Sequence, residues 1–171
     1  MLGNSRLRDA VFFLLPAAII IVADQITKLL VKQKIELGGS VPATGFFRLT
    51  HIQNTGASFG IFQEHTVMLA GISAVMALVV LWLGLLMNPR FDFLRSRLSM
   101  IALGMMLGGI IGNFIDRAFI GYVTDFLKMG AWPDYNVADA SSVVGSVILA
   151  MIIFRTTLKE PSDGTGETTS C

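Results

Sequence analysis

Cysteine is nearly missing from this chain: Cys171 is the only one. One cysteine cannot close an internal disulfide or build a thiolate metal site. It ends a polar stretch, Glu160 to Cys171, rich in Gly, Ser and Thr; residues 160–171 are expected to form a disordered cytoplasmic tail. Histidine is scarce as well. His51 and His65 stand apart and are expected on the surface rather than as metal ligands. There is no H-E-x-x-H, no paired cysteine and no phosphate-binding loop, which disfavours a metalloenzyme or a nucleotide-driven machine. No metal or cofactor is expected. Charge is short too: 15% of residues are charged, against about a quarter in soluble domains. The net charge of +1 offers no electrostatic basis for binding nucleic acid.

What the chain has in excess is apolar character, at 53%. Four runs carry it: Ala10–Ala23, continuing to Val31 if Asp24 and Lys28 are tolerated, then Thr66–Asn88, Leu98–Ile115 and Val137–Phe154. A bilayer core of about 30 Å needs about 20 helical residues. The second and third runs meet this easily. The first and fourth do so only if each carries an acid near one end. The expected fold is an α-helical integral membrane protein with four transmembrane helices in one domain, residues 1–159. No convincing small-x-small cleavage pattern follows the first run, so it reads as an uncleaved anchor. Pro16 inside it is tolerated in a membrane helix, often with a kink.

Residues 33–65 form the longest loop, with turns at Gly38-Gly39 and Pro42. Phe46 to Ile52 is β-branched and aromatic enough for a strand, so a small extracytoplasmic β-structure on the membrane surface is expected. A second loop, about 118–136, contains Trp132-Pro133. Arginines between spans two and three (Arg90, Arg95, Arg97), with Arg6, Arg8, Arg155 and Lys159, favour cytoplasmic termini. Lys28, Lys32, Lys34 and Arg48 on the other side weigh against it.

Span order alone brings the acids together. Asp24 lies near the exit of span one, Asp116 and Arg117 at the exit of span three, Asp125 in the next connection, and Asp139 at the entry of span four. Up-down threading places all of them at one membrane face, with the long loop and Asn54. Asp24 and Lys28 are four apart with the acid first, which favours an ion pair. Asn113, Asp116 and Arg117 share one side of span three. Asn136 and Asp139 are three apart, and Ser142 and Ser146 continue that stripe. Ionisable groups at membrane depth are costly and usually mark function; the plainer reading is interfacial acids that reach headgroup water. Gly104, Gly108 and Gly112 recur every four residues, as in close helix packing through small residues.

Gly56-Ala57-Ser58-Phe59-Gly60 matches the G-x-S-x-G elbow of serine hydrolases. The context fails, because that elbow needs a strand-turn-helix with an acid and then a histidine downstream. Only His65 follows, and too soon.

Five local patterns resemble the lipoprotein signal peptidase family, also called signal peptidase II. They are Asp24-Gln25-Ile26-Thr27-Lys28; Asn54-Thr55-Gly56-Ala57-Ser58-Phe59; the run from Gly108 to Arg117 containing Asn113 and Asp116; Val123-Thr124-Asp125-Phe126; and Asn136-Val137-Ala138-Asp139. Their order matches as well, and only the tail lies outside the resemblance. Tyr135 stands where the family often has Phe. The resemblance implies a bacterial inner-membrane aspartic endopeptidase with cytoplasmic termini and an outward-facing site among membrane lipids; a monomer is expected. Its substrate would be a diacylglyceryl-modified prolipoprotein, cut just before the modified cysteine. Asp125 and Asp139 match the catalytic pair. Asp24, Lys28, Asn54, Gly56, Asn113, Asp116, Arg117 and Asn136 match its support.

Two carboxylates held close do not both ionise easily; one keeps a proton while the other acts as base. The ionised member would activate water and the protonated one would polarise the scissile carbonyl. The helix dipole favours Asp139 as the more acidic member, but sequence leaves the roles open. A proton-coupled transporter is the competing class, since membrane acids also build relays. Four spans are few for that, and the acids gather at one face without crossing the bilayer. A non-catalytic scaffold is a third reading.

Overall fold

The structure is a computed structural model that describes residues 2–56, 62–87, 91–94 and 96–159. Most of the serine-elbow motif, Arg90, Arg95 and the tail with Cys171 lie outside the described residues. In chain order the elements are α1 (Leu2–Lys34), β1 (Ser40–Val41), β2 (Phe47–Asn54), α2 (Thr66–Trp82), α3 (Arg97–Ile120), β3 (Val123–Met129) and α4 (Val137–Lys159). A π-helical turn, Leu83–Met87, prolongs α2. Each of the four helices is long and apolar enough to cross a membrane. In α1, α2 and α4 about a fifth of the apolar window is buried, against 50% in α3. Helix α3 is therefore the centre of the bundle, and the others turn most of their apolar surface outward, as a lipid solvent requires.

Small residues set the packing. A Cβ on Gly104 would strike the Phe13 carbonyl, and one on Gly108 would sit 2.8 Å from the Ala17 carbonyl oxygen. The glycine stripe thus seats α1 against α3. On another side of α3, Gly109 faces the Ala138 carbonyl and the Ser142 hydroxyl of α4. Away from the acids, Phe13, Val80, Leu94, Met100, Leu103 and Leu107 form a dry core. Pro16 sits within α1, which continues through it. Ser96 caps α3 by accepting from the Ser99 N–H at 3.0 Å. Gly121 ends the helix with φ +80°, a conformation that suits glycine.

The sheet has order β1-β2-β3, antiparallel throughout. It departs from expectation in two ways. The strand in the long loop runs Phe47–Asn54, and its partner β3 lies in the segment read as a plain loop. Asp125 is therefore a strand residue. Pairing decided this: Val123–Met129 has no alternation that announces a strand, because its first four residues are all buried. His51 is also corrected. It is buried, with Nδ1 2.8 Å from the Ile35 carbonyl. It lies where β2 bulges, between Leu49 opposite Leu127 and Ile52 opposite Asp125.

Candidate active site

The bundle closes at one end with a polar network whose inner members, Asp24, Lys28, Asn113 and Asp116, are buried. Asp24 and Lys28 lie one turn apart on α1, and the Lys28 Nζ is 2.7 Å from Asp24 Oδ2. The same ammonium lies 3.0 Å from Asp116 Oδ2 on α3 and donates to Asn113 Oδ1 at 3.0 Å. A lysine buried to 1% exposure persists because all its protons find acceptors. Lys28 therefore does not count as a loop charge for topology. Asp24 Oδ1 accepts the Ala138 N–H at 3.0 Å, capping α4 from a different helix. Gly112 makes room for this acid, since a Cβ there would sit 2.7 Å from Asp24 Oδ2. Asp116 Oδ2 accepts the Thr124 N–H at 3.1 Å and so fastens the start of β3 to α3.

Beside this trio lies the second pair of acids. Asn136 precedes α4 and Asp139 sits in its first turn. The Asp139 N–H donates to Asn136 Oδ1 at 2.9 Å, and the Asn136 N–H donates back to Asp139 Oδ2 at 3.3 Å. This reciprocal capping explains the three-residue spacing. Asn136 Nδ2 donates to Asp125 Oδ1 at 2.7 Å and to Asn113 Oδ1 at 3.1 Å. Asn54 Nδ2 donates to Asp125 Oδ2 at 2.9 Å, and Asn113 Nδ2 donates to Asp139 Oδ1 at 2.7 Å. Each acid is thus held by neutral amides. Asn113 joins the two sets, since it touches Lys28, Asn136 and Asp139.

Asp125, Asp139, Asn54 and Arg117 line one cleft of about 960 Å³. Its other walls come from Trp132 and Pro133 of the loop after β3, and from Val143 and Val144 of α4. Val143 is 62% exposed and Val144 46%, so the cleft opens toward the side where lipid would stand. Arg117 Nη2 donates to the Gly56 carbonyl at 3.0 Å, and the Gly56 N–H donates to Asn54 Oδ1 at 2.9 Å. Gly56 acts through its backbone. Burial, and then the charge of Asp139, push the Asp125 carboxyl up to about 7, against the opposing hydrogen bonds from Asn54 and Asn136 and the charge of Lys28. A carboxyl in that range can hold or release a proton near neutrality.

All ten residues singled out in the sequence meet in this network. Gln25 was missed as a participant: its Nε2 donates to the Gly112 carbonyl at 3.1 Å and to Asp116 Oδ1 at 3.3 Å. An amide at membrane depth in the first span was the available signal. The links of Thr50 and Lys128 to Asp134 were missed too, since they depend on strand pairing that the sequence does not announce.

Fold and site together define a polytopic membrane protein with two amide-held carboxylates facing one cleft. Comparison with known proteins makes this specific. Residues 16–155 match the family model described as Signal peptidase (SPase) II. A lipoprotein signal peptidase of Dehalococcoides mccartyi is 39% identical over 145 residues, covering 85% of this chain and 89% of that protein. The one of Moorella thermoacetica is 37% identical over 138 residues, covering 80% and 89%. The one of Francisella tularensis subsp. novicida is 36% identical over 152 residues, covering 84% and 91%. The chain belongs to the signal peptidase II family and is a multi-pass membrane peptidase. A solved bacterial membrane enzyme shares the fold with a TM-score of 0.78 at 23% identity, covering 97% of this chain and 96% of that one.

Proposed function

We propose that this protein is an aspartic endopeptidase that removes the signal peptide from diacylglyceryl-modified prolipoproteins, cutting just before the modified cysteine. Family membership supports signal-peptide removal from lipoproteins. One observation supports the aspartic mechanism: Asp125 and Asp139 face the same cleft, and the hydrogen bonds to both carboxylates come from amides. Two such acids share a proton readily. The ionised member takes a proton from water as it attacks the scissile carbonyl, and the protonated member donates to the carbonyl oxygen. When the intermediate collapses, a proton passes to the leaving nitrogen and the pair regains its starting state. The pair titrates as a unit. Arg117 lies beside both acids and orients carboxylates or peptide carbonyls.

The cleft's opening past Val143 and Val144 suits a substrate that arrives through the bilayer, with its acyl chains against apolar helix faces. The termini are taken to be cytoplasmic and the site extracytoplasmic, and one chain supplies every site residue, so a monomer suffices. Reporter fusions in the loop between α2 and α3 and in the β1–β2 region should report opposite sides. The reaction needs no metal, so cleavage should survive thorough chelation. The test is cleavage of a lipid-modified precursor by purified protein, with the product's first residue read by mass spectrometry. Cleavage before the modified cysteine, with poor turnover of unmodified precursor, is expected. Equal turnover of both forms would remove the lipid from recognition.

A further inference from the structure

Asp125 is held at both oxygens by asparagines from different arms of the sheet region. Asn54 comes from the end of β2, and Asn136 from the segment that returns after β3. Two local features aim these arms. The first is the bulge in β2. Below it, Phe47 and Leu49 oppose Met129 and Leu127; above it, Ile52 and Asn54 oppose Asp125 and Val123. Opposed residues share a face of a sheet, so the β2 positions on the same face as Val123, Asp125, Leu127 and Met129 change from odd to even numbers across the bulge. Without the extra residue, Asn54 would point to the other face. The second feature is the return arm. Tyr135 closes it on β3, with its carbonyl accepting the Phe126 and Leu127 N–H groups at 3.0 and 2.8 Å and its N–H donating to the Leu127 carbonyl at 3.0 Å. Asn136 follows directly.

Asp134 connects these features. Its Oδ1 accepts the hydroxyl of Thr50, a bulge residue, at 2.6 Å. Its Oδ2 accepts from Lys128 Nζ of β3 at 3.0 Å. The cross-strand partner of Lys128 is Arg48, and like charges placed opposite each other are unfavourable, so an anion belongs here on electrostatic grounds. The carboxylate thus ties the β2 bulge, β3 and the return arm at one point. We infer that Asp134 is a positioning residue: it clamps the bulge and the return arm so that Asn54 and Asn136 both reach Asp125. This rests on the proposed role of Asp125.

The test uses full-length protein in membranes or detergent with a lipid-modified precursor, measuring kcat and KM. The variants are Asp134→Ala, Thr50→Val, their double, and Asp125→Asn as reference. Asp134→Ala should lower kcat about tenfold, as small misplacements of reacting groups do, with KM changed by less than about twofold. Thr50→Val should lower kcat about threefold through one lost hydrogen bond. The double should be no slower than Asp134→Ala, because both changes open the same clamp. Asp134 also lines the cleft, so a raised KM with unchanged kcat would make it a substrate contact and overturn the inference. Multiplying effects, or wild-type kcat, would also overturn it. If Asp134→Ala does not insert, Thr50→Val and Lys128→Met decide, and wild-type kcat in both rejects the clamp. Wild-type cleavage by Asp125→Asn would strike the role of Asp125 instead. An inactive Asp125→Asn beside a fully active Asp134→Ala would strike the clamp alone.

Discussion

Four aspartates gather at one end of this bundle, and their surroundings divide them into two pairs. Asp24 and Asp116 share one lysine, lie at 0% and 3% exposure, and receive backbone N–H groups from α4 and β3. Asp125 and Asp139 face a cleft and receive hydrogen bonds from amides. An acid given a full counter-charge in a dry place serves as a structural joint. Asp125, held by amides beside another acid and only partly offset by the charge of Lys28, has its carboxyl pushed up to about 7. Residue type is the same in both pairs. The partner decides which acids brace the bundle and which face the cleft, and Asn113 passes from one to the other.

The sharpest way to break this comparison is to neutralise the cleft pair. Asp125→Asn and Asp139→Asn should each slow single-turnover cleavage of a lipid-modified precursor by about a thousandfold or more while the protein still inserts. The double should be hardly worse than either single, as for groups acting as one unit. Near wild-type cleavage by an inserted single mutant would eliminate the dyad.

The next largest effect should fall on folding. Lys28→Met leaves two buried carboxylates without their cation, a loss of about 3–5 kcal/mol where a buried pair is broken. Thermal unfolding in detergent should show it, whereas Asp125→Asn, which loses one hydrogen bond, should unfold later than Lys28→Met. Equal stability of Lys28→Met and wild type would erase the distinction between the pairs.

Acidity gives a third contrast. Asp125 is held up to about 7, so the pair keeps its shared proton below that pH and loses it above. The rate should therefore fall as pH rises through about 7. Asn54 favours the ionised form of Asp125, so Asn54→Ala should move this limb to higher pH. A shift downward, or none, would reject the assignment.

A milder probe addresses the structural pair alone. Gly112→Ala places a methyl 2.7 Å from Asp24 Oδ2, and overpacking of this kind costs about 1–3 kcal/mol. Earlier unfolding is expected, with catalysis per folded molecule largely kept.

Much of this molecule could be read before folding. Lipid as solvent leaves long uncharged runs, and run order dictates which ends meet, so Asp24, Asp116, Asp125 and Asp139 could be placed at one face from span order alone. The Asp24–Lys28 spacing announced their ion pair, and the Asn136–Asp139 spacing announced a helix start. The glycine stripe announced close packing without naming its partner. Strand β3 could not be read, because its buried first half lacks the alternation of a half-exposed strand. His51 was misplaced because its burial depends on β2 lying against the end of α1.

Sequence by itself determined the solvent, the number of spans and the face that carries the acids, because hydrophobic runs and helical spacing are local properties of the chain. Only the tertiary structure decided which acids share Lys28 and which face the cleft. That division depends on contacts between residues as far apart as Asp24 and Ala138, or Asn54 and Asp125. A one-residue bulge in β2 turns Asn54 toward its acid, and a bulge is a matter of pairing between strands. No run of neighbouring residues encodes it alone.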